Sequence, residues 1–300
     1  MRILFTGLSG LTGSHLAKLL LKNGLSETDQ YFCIVRSALS SYISLPSRVL
    51  CKNNFFYGDC EDEIFCTSVI KTVQPDLVVH LAQMKLLPVI LKSTISLGIK
   101  PRIVVLGTTA VYSSFMSCSQ PYKIAENFLT TNWDNFLVIR SSMIYGHPID
   151  KNMNKLFRYV KRRFPIPIPN DGKALYQPIF YKDLAEIIYS LLFKQQLKGY
   201  YDLPGPDTVS LKAIIRLISS KLKMKPITFS IPIKPALYTM QLLEIIASKS
   251  RMSLPINSEQ ILRSSEDKIC DSSLKSILPS YQLTSIDQGL EIQKTKMNID

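Results

Sequence analysis

The chain has 300 residues and a formal net charge of +13, and 46% of its residues are hydrophobic, which is enough for a sizeable core and excludes a globally disordered chain. No apolar run approaches the roughly 18 residues of a membrane span, and the first residues lack a secretory signal pattern. The six cysteines contain no Cys-x-x-Cys pair, so we predict free thiols and a reducing, cytoplasmic location.

The first twenty residues predict a strand, a glycine turn and a helix, in that order. Residues 2–6 are a short apolar run typical of a buried parallel strand, and residues 14–21 have a helical pattern. We expect Gly7 to allow the tight turn, Gly10 to let the backbone approach a pyrophosphate, and Gly13 to bring the helix close to the strand. The N–H groups and positive dipole end of the helix would hold phosphates. A purely structural turn is the alternative.

The spacing Gly-x-x-Gly-x-x-Gly, preceded by Thr6, resembles the extended and atypical short-chain dehydrogenase/reductases. The resemblance implies an α/β fold: a Rossmann-like, doubly wound parallel sheet with a smaller, mainly C-terminal substrate lobe. It also implies a nicotinamide dinucleotide cofactor. The residues of this first segment that are implied to contact the cofactor are Thr6, Gly7, Ser9, Gly10, Leu11, Thr12 and Gly13.

Arg36 stands at the end of the second predicted strand, residues 30–35. The adenosine ribose lies at this place in a dinucleotide-binding fold, and an acidic residue there favours NAD. Arg36 instead offers a guanidinium to a 2′-phosphate, so we favour NADP over NAD. A surface arginine that stacks on adenine is the alternative interpretation.

The next two predicted strands resemble family segments that approach the cofactor. Residues 54–57 are followed by a Gly-Asp-Cys segment that is similar to the family's Gly-Asp-Leu, which implies that Asp59 and Cys60 lie near the adenine. The fourth strand and its end are similar to the family's Asp-x-Val-x-His-Leu-Ala pattern. This similarity implies that Leu81 and Ala82 contact the cofactor.

Two polar residues, one in the fourth predicted strand and one just after the fifth, are candidates for catalysis. His80 lies inside the apolar fourth strand, which favours a packed, hydrogen-bonded core histidine over an acid or base. The fifth strand, residues 102–106, is followed by Gly-Thr-Thr-Ala-Val-Tyr, which resembles the family's Ser-Ser-x-x-Val-Tyr. Alignment through Val-Tyr places Thr108 at the catalytic Ser/Thr position. A hydroxyl at the carboxyl end of a strand lies where open α/β sheets bind ligands.

The family's catalytic Tyr-x-x-x-Lys pair is not intact in this sequence. If Lys123 is the family lysine, Ser119 takes the tyrosine position, and if Tyr122 is the family tyrosine, Glu126 takes the lysine position. The resemblance implies that Tyr122 carries the proton or that Lys123 holds the cofactor ribose. The two side chains point about 100° apart on a helix, and Glu126 is expected to raise the pKa of Tyr122.

Residues 140–146 begin the part of the chain that is expected to receive the substrate. They resemble the family's Arg-Pro-x-x-Ile-Tyr-Gly turn near the nicotinamide, which implies cofactor contacts for Ser142 and Ile144.

The basic residues are scattered along the sequence without a nucleic-acid motif, so no nucleic-acid partner is predicted. Their densest cluster is Arg158, Lys161, Arg162 and Arg163. A solvated face is the default interpretation of this cluster, while an anionic nucleotide-sugar and a peripheral contact with a membrane surface stay open.

Later segments complete the predicted architecture. Residues 176–185 resemble the family's Gln-Pro-Val-His-Val-x-Asp-Val-Ala segment, residues 211–222 and 236–247 are helical in pattern, and the tail beyond Glu291 is expected to fray. The predicted NAD(P)-binding domain comprises residues 1–145 plus 176–205, and the predicted substrate lobe comprises residues 146–175 plus 206–300.

These motifs together favour an NAD(P)-dependent epimerase, dehydratase or reductase that acts on a nucleotide-sugar, as the resemblance implies. The alternative is a catalytically weak or inactive NAD(P)-binding protein, such as a redox sensor or an assembly subunit. The broken Tyr-x-x-x-Lys pair favours this alternative, whereas Thr108 and the 140–146 segment favour an enzyme. No metal site is predicted, and a homodimer stays open.

Overall fold

The computed structural model describes residues 1–22, 29–36, 54–147, 149–150, 152–250 and 258–298. Within these residues a sheet of seven strands has the order β3-β2-β1-β4-β5-β6-β11, and all its pairings are parallel. Its strands are β1 (Arg2–Thr6), β2 (Gln30–Val35), β3 (Phe55–Tyr57), β4 (Leu77–His80), β5 (Arg102–Thr108), β6 (Phe136–Ser141) and β11 (Gly199–Leu203). The predicted Rossmann-like sheet is confirmed, and β5 runs two residues further than predicted, so Thr108 ends the strand.

Short strands pair outside this sheet: β7 (Ile144–Tyr145) with β10 (Ile179–Phe180), β8 (Ile166–Pro169) with β13 (Thr228–Ile231), and β9 (Leu175–Tyr176) with β12 (Val209–Ser210). The helices are α1 (Leu11–Lys22), α2 (Glu63–Val73), α3 (Leu87–Ser96), α4 (Met116–Asn132), α5 (Met153–Lys161), α6 (Tyr181–Leu191), α7 (Leu211–Lys221), α8 (Ile233–Ser250), α9 (Ser258–Arg263), α10 (Leu274–Ile277) and α11 (Ile286–Lys296). None of the helices in the described ranges is long and apolar enough to cross a membrane.

Both faces of the central sheet are covered, because successive side chains of a strand point to opposite faces. In β1, Ile3 and Phe5 pack with α1 and α6, whereas Leu4 packs into a second core with α2, α3 and α4. Strands that are buried on both faces are continuously apolar in sequence, which is why they were predictable. The described cysteines are free thiols, and Cys51 lies outside the described residues.

A third core joins α5, α7 and α11 around residues such as Phe157, Ile218 and Leu290. The expected fraying beyond Glu291 is wrong. Helix α11 continues to Lys296, and the fully buried Gln293 donates through Nε2 to a carboxylate oxygen of Asp150 and, at 2.7 Å, to Asn154 Oδ1. These buried hydrogen bonds anchor the last helix to the lobe. The domain boundaries proposed from the sequence remain a prediction.

Candidate active site

Two of the three glycines at the end of β1 are required by close backbone packing. Gly7 has φ of +72°, and a Cβ atom there would lie 2.3 Å from the Ala82 nitrogen. A Cβ atom on Gly13 would lie 2.5 Å from the Gly7 oxygen and 2.6 Å from Leu8 Cα. Gly7 therefore permits the turn toward β4, and Gly13 permits close contact between α1 and the turn.

Gly10 is the glycine that faces open space. A Cβ atom there would meet only the Gly7 oxygen, at 3.2 Å, and Gly10 lines a cleft. Helix α1 begins at the next residue, so its first N–H groups have no partner within the helix. The nearby Thr12 hydroxyl is buried and finds no hydrogen-bond partner among the described residues. Free donors, positive dipole and missing side chain all fit the pyrophosphate of a dinucleotide.

The cleft beside Gly10 has a volume of about 360 Å³ and lies at the carboxyl ends of β1, β2, β3 and β4. It contains eight of the predicted cofactor residues: Gly7, Ser9, Gly10, Arg36, Asp59, Cys60, Leu81 and Ala82. Four strands that are distant in sequence thus deliver these residues to one place. Lys85 also lines the cleft and was not predicted, because it lies in a short 3-10 helix that follows no recognisable motif.

Predicted cofactor residues Thr6 and Thr12 are buried, and Thr6 serves the packing of the turn. The Thr6 Oγ1 atom lies 2.8 Å from His80 Nδ1, and His80 Nε2 lies 3.2 Å from the Gln83 carbonyl oxygen. Because a carbonyl can only accept, Nε2 donates to it, and in the neutral ring Nδ1 accepts from Thr6. His80 is fully buried, and burial lowers its pKa to about 4. The prediction of a core histidine is confirmed.

We expect protein stability to fall on mild acidification because of His80. The unfolded chain binds a proton at the ordinary histidine pKa of about 6.5, whereas the folded chain resists it down to about 4. The free energy of unfolding therefore has its full value above about pH 6.5. It declines toward pH 4, by about 3 kcal/mol for this histidine. Denaturant unfolding of wild type and His80→Gln between about pH 7 and about pH 4.5 measures it. The pKa values of the other two histidines, His15 and His147, are also lowered by burial, and both residues are present in the two proteins. Equal pH slopes in wild type and His80→Gln would therefore contradict this assignment.

A second cleft of about 490 Å³ opens beside Thr108, at the carboxyl ends of β5 and β6. The Thr108 oxygen accepts a hydrogen bond from the Ala110 nitrogen at 3.2 Å. Among the described residues no acceptor takes the Thr108 hydroxyl proton. A hydroxyl that is held by an accepted bond and keeps its own proton can donate to a ligand oxygen.

Ser142 lines this second cleft, and its hydroxyl donates to the Gln177 carbonyl oxygen. Ile144 lines neither of these two clefts. It packs between the core that contains Ile3 and Phe5 and the third core, around Phe157. The structure therefore brings Ser142, but not Ile144, next to Thr108. Leu11 and Gly13 lie in the first turn of α1 behind the glycine turn.

Tyr122 and Lys123 are not brought to Thr108. Tyr122 packs against the core that α2, α3 and α4 share, Lys123 is exposed on α4, and neither lines the Thr108 cleft. Glu126 is engaged elsewhere, because Arg140 donates to its carboxylate at 2.8 and 2.7 Å. The Tyr122 and Lys123 roles therefore remain predictions. Cys118, one turn before Tyr122, is the residue of α4 that lines the cleft.

Arg263 and residues 266–269 line the Thr108 cleft without any signal in the sequence. The Lys268 ammonium donates to the carbonyl oxygens of Arg263 at 3.0 Å and Glu266 at 2.9 Å, and it lies 4.8 Å from the centre of the Tyr176 ring. Burial lowers the pKa of Lys268, and the carboxylate of Glu266 opposes this shift. Arg263 and Lys268 thus supply the cleft with two cations, and Glu266 and Asp267 supply it with two carboxylates. The sequence could not place these residues, because they follow a segment with no family motif.

The parallel sheet, the glycine turn and the clefts at its carboxyl edge define a Rossmann-type dinucleotide-binding protein. A family model described as GDP-mannose 4,6 dehydratase matches residues 4–154, half of the chain. The chain belongs to the extended short-chain dehydrogenase/reductase family of NAD-dependent epimerases and dehydratases. The family resemblance seen in the sequence is confirmed. No curated protein matches the chain in sequence.

Solved structures share the fold over nearly the whole chain. UDP-glucose 4-epimerase of Thermotoga maritima, in complex with UDP-glucose, is 16% identical, with a TM-score of 0.70 and coverage of 99% of both chains. UDP-glucose 4-epimerase of Thermus thermophilus, in complex with NAD, is 15% identical, with a TM-score of 0.67 and the same coverage. dTDP-glucose 4,6-dehydratase of Bacillus anthracis, with NAD, is 16% identical, with a TM-score of 0.68, over 99% of this chain and 96% of that chain.

Proposed function

We propose that this protein is an NAD(P)-dependent epimerase or dehydratase of a nucleotide-sugar that works in the cytoplasm. The observation that carries the proposal is the Thr108 hydroxyl, which keeps a free proton in a cleft of about 490 Å³. Strands β4 and β5 are neighbours, so this cleft and the glycine-turn cleft open at the same edge of the sheet. The cofactor and the sugar can therefore meet above that edge.

The glycine turn and the start of α1 would hold the dinucleotide through Gly7, Gly10 and the N–H groups that follow. Leu81 and Ala82 would contact it just after the end of β4, and Asp59 and Cys60 would lie near the adenine. A bound nicotinamide dinucleotide supplies reversible hydride transfer. The structure supports this cofactor class through the open space at Gly10 and the unpartnered Thr12 hydroxyl.

The chain's own contribution to the chemistry is polarisation and charge. Thr108 would donate its hydroxyl proton to a sugar oxygen on which negative charge develops, which is the general role of a fixed donor in catalysis. The cations of Arg263 and Lys268 suit the diphosphate of a nucleotide-sugar. The two carboxylates of the cleft are engaged, because Ser113 and Ser114 donate to Glu266 and the Leu175 nitrogen donates to Asp267. The proton-transfer role of Tyr122 and the ribose contact of Lys123 stay proposals drawn from the family resemblance.

A panel of nucleotide-sugars tests this function. UDP-glucose, UDP-N-acetylglucosamine, GDP-mannose and dTDP-glucose are incubated with the protein and either NAD or NADP, and the sugars are followed by NMR. Because Tyr122 and Lys123 do not line the Thr108 cleft, we expect slow turnover with intact cofactor binding. Cofactor binding without turnover of any sugar would favour the second candidate, an inactive dinucleotide-binding sensor or assembly subunit.

We expect NADP to bind more tightly than NAD because of Arg36, which is exposed and lines the cofactor cleft. A bidentate contact between its guanidinium and a 2′-phosphate is worth about 1.5–3 kcal/mol, or roughly tenfold to a hundredfold in affinity. Calorimetry with both cofactors on wild type and Arg36→Ala measures the difference. Lys85→Ala is the matched control, since it removes another cation of the same cleft. Equal affinities in wild type would remove the argument, and loss of discrimination in Lys85→Ala alone would move it to Lys85.

A further inference from the structure

The net positive charge of this protein is concentrated in two stretches of the chain. Residues 151–170 and 208–243 contain twelve lysines and arginines and no acidic residue. The other 244 residues contain 24 basic and 23 acidic side chains, so their net charge is only +1. The interpretation that the basic residues are scattered is therefore wrong, because almost the entire net charge lies in these two stretches.

The fold joins the two stretches into one surface. Strand β8 pairs with β13 in parallel, with Pro167 opposite Phe229, and α5 packs against α7. Because the strands are parallel and in register, the segments that precede them lie side by side. Arg162–Phe164 therefore lies beside Lys225–Ile227, and the Ile166 nitrogen donates to the Ile227 oxygen at 2.8 Å.

These charges are unpaired at the surface. Lys221 bonds to Asp287 and Glu291 of α11, but the other basic residues of the two stretches form no ion pair within the part of the chain that the structure describes. Ten of them are exposed: Lys155, Arg158, Lys161, Arg162, Arg163, Lys212, Arg216, Lys223, Lys225 and Lys234. A field of one sign without local compensation attracts an anionic partner.

Large apolar side chains are exposed among these cations. The exposed fractions are 47% for Phe164, 49% for Ile227, 49% for Phe229 and 71% for Tyr238. An apolar cleft of about 390 Å³ adjoins them, lined by residues that include Pro167, Pro169, Ile231, Met240 and Leu243. We call the exposed residues Arg162, Arg163, Phe164, Lys223, Lys225, Ile227, Phe229, Lys234 and Tyr238 the basic apolar face. None of them lines the Thr108 cleft.

We propose that the basic apolar face binds an anionic membrane surface. Its cations would contact lipid phosphates, and Phe164, Ile227 and Phe229 would enter the boundary between headgroups and acyl chains. This combination of basic and exposed apolar side chains is typical of peripheral membrane contacts. A nucleic-acid duplex would satisfy the cations but would leave the exposed side chains of Phe164, Ile227 and Phe229 in water, so a lipid surface fits the whole face better.

The test uses the full chain and sedimented vesicles. We expect binding to phosphatidylcholine vesicles that contain about 30% phosphatidylserine, weak binding to phosphatidylcholine alone, and loss of binding at high salt. The triple variant Arg162→Gln, Arg163→Gln, Lys225→Gln should lose roughly a hundredfold in partitioning, at about fivefold for each cation. The double variant Phe164→Ser, Phe229→Ser should lose about tenfold with every charge intact.

A matched control removes the same charge elsewhere. Lys71→Gln, Lys92→Gln, Lys100→Gln changes three exposed lysines outside the basic apolar face, and its vesicle binding should stay within about twofold of wild type, since the contact is local. Circular dichroism and cofactor affinity check that all variants are folded. An equal loss in the control, no vesicle binding at low salt, or an unchanged double variant would overturn the proposal. Tighter binding to DNA or RNA than to vesicles at equal salt would assign the face to nucleic acid instead.

Discussion

A Gly10→Val variant is expected to lose about a hundredfold or more in affinity for the dinucleotide, equivalent to about 2.7 kcal/mol, while its melting temperature stays close to that of wild type. Gly10 is exposed, and a Cβ atom there would meet only the Gly7 oxygen, at 3.2 Å. The branched side chain would therefore occupy the cleft rather than the core. It would hold a pyrophosphate away from the N–H groups at the start of α1.

Three further glycine variants separate binding from folding. Gly7→Ala and Gly13→Ala place a Cβ atom 2.3 and 2.5 Å from backbone atoms, so both should lower the melting temperature. Gly10→Ala should be folded and should weaken binding less than Gly10→Val. Calorimetry with NAD and NADP, together with thermal unfolding, gives both quantities. Wild-type cofactor affinity in a folded Gly10→Val protein would show that the glycine turn does not hold the phosphates.

Thr108→Val should lower kcat on a productive nucleotide-sugar by roughly 10²–10³-fold, the usual effect of removing one fixed donor from the reacting oxygen. Valine keeps the shape of threonine, and the lost hydroxyl is the one that retains its proton in the cleft. Cofactor affinity should be unchanged, because Thr108 does not line the glycine-turn cleft. Steady-state kinetics and calorimetry on the same preparation separate the two effects.

Tyr122→Phe is the comparison that locates the chemistry. Tyr122 packs against the core between the sheet and α4, and phenylalanine keeps that packing, so we expect a smaller loss of kcat than in Thr108→Val. Ser142→Ala adds a control within the cleft itself, where the serine hydroxyl already donates to the Gln177 carbonyl oxygen. A Tyr122→Phe protein without activity, beside an active Thr108→Val protein, would show that the chemistry lies at α4.

The central sheet and the phosphate-binding turn were predictable from the sequence because their signals are local. A strand that is buried on both faces is a short apolar run, and the turn that follows β1 needs glycine where a Cβ atom would strike the backbone, as at Gly7 and Gly13. The carboxyl ends of parallel strands share one edge, so the order of the motifs also predicted that Arg36, Asp59 and Ala82 would meet.

The tertiary structure alone decided what surrounds Thr108. Sequence spacing on α4 predicted Tyr122 and Lys123 as site residues, but the orientation of the helix packs Tyr122 against the core. Lys268, which does line the cleft, comes from a segment about 150 residues further along the chain. The pairing of β8 with β13, which gathers the basic residues on one face, also joins segments about 60 residues apart. Such meetings depend on how whole elements pack and on which loops close, and no periodicity or turn residue in either segment encodes its distant partner.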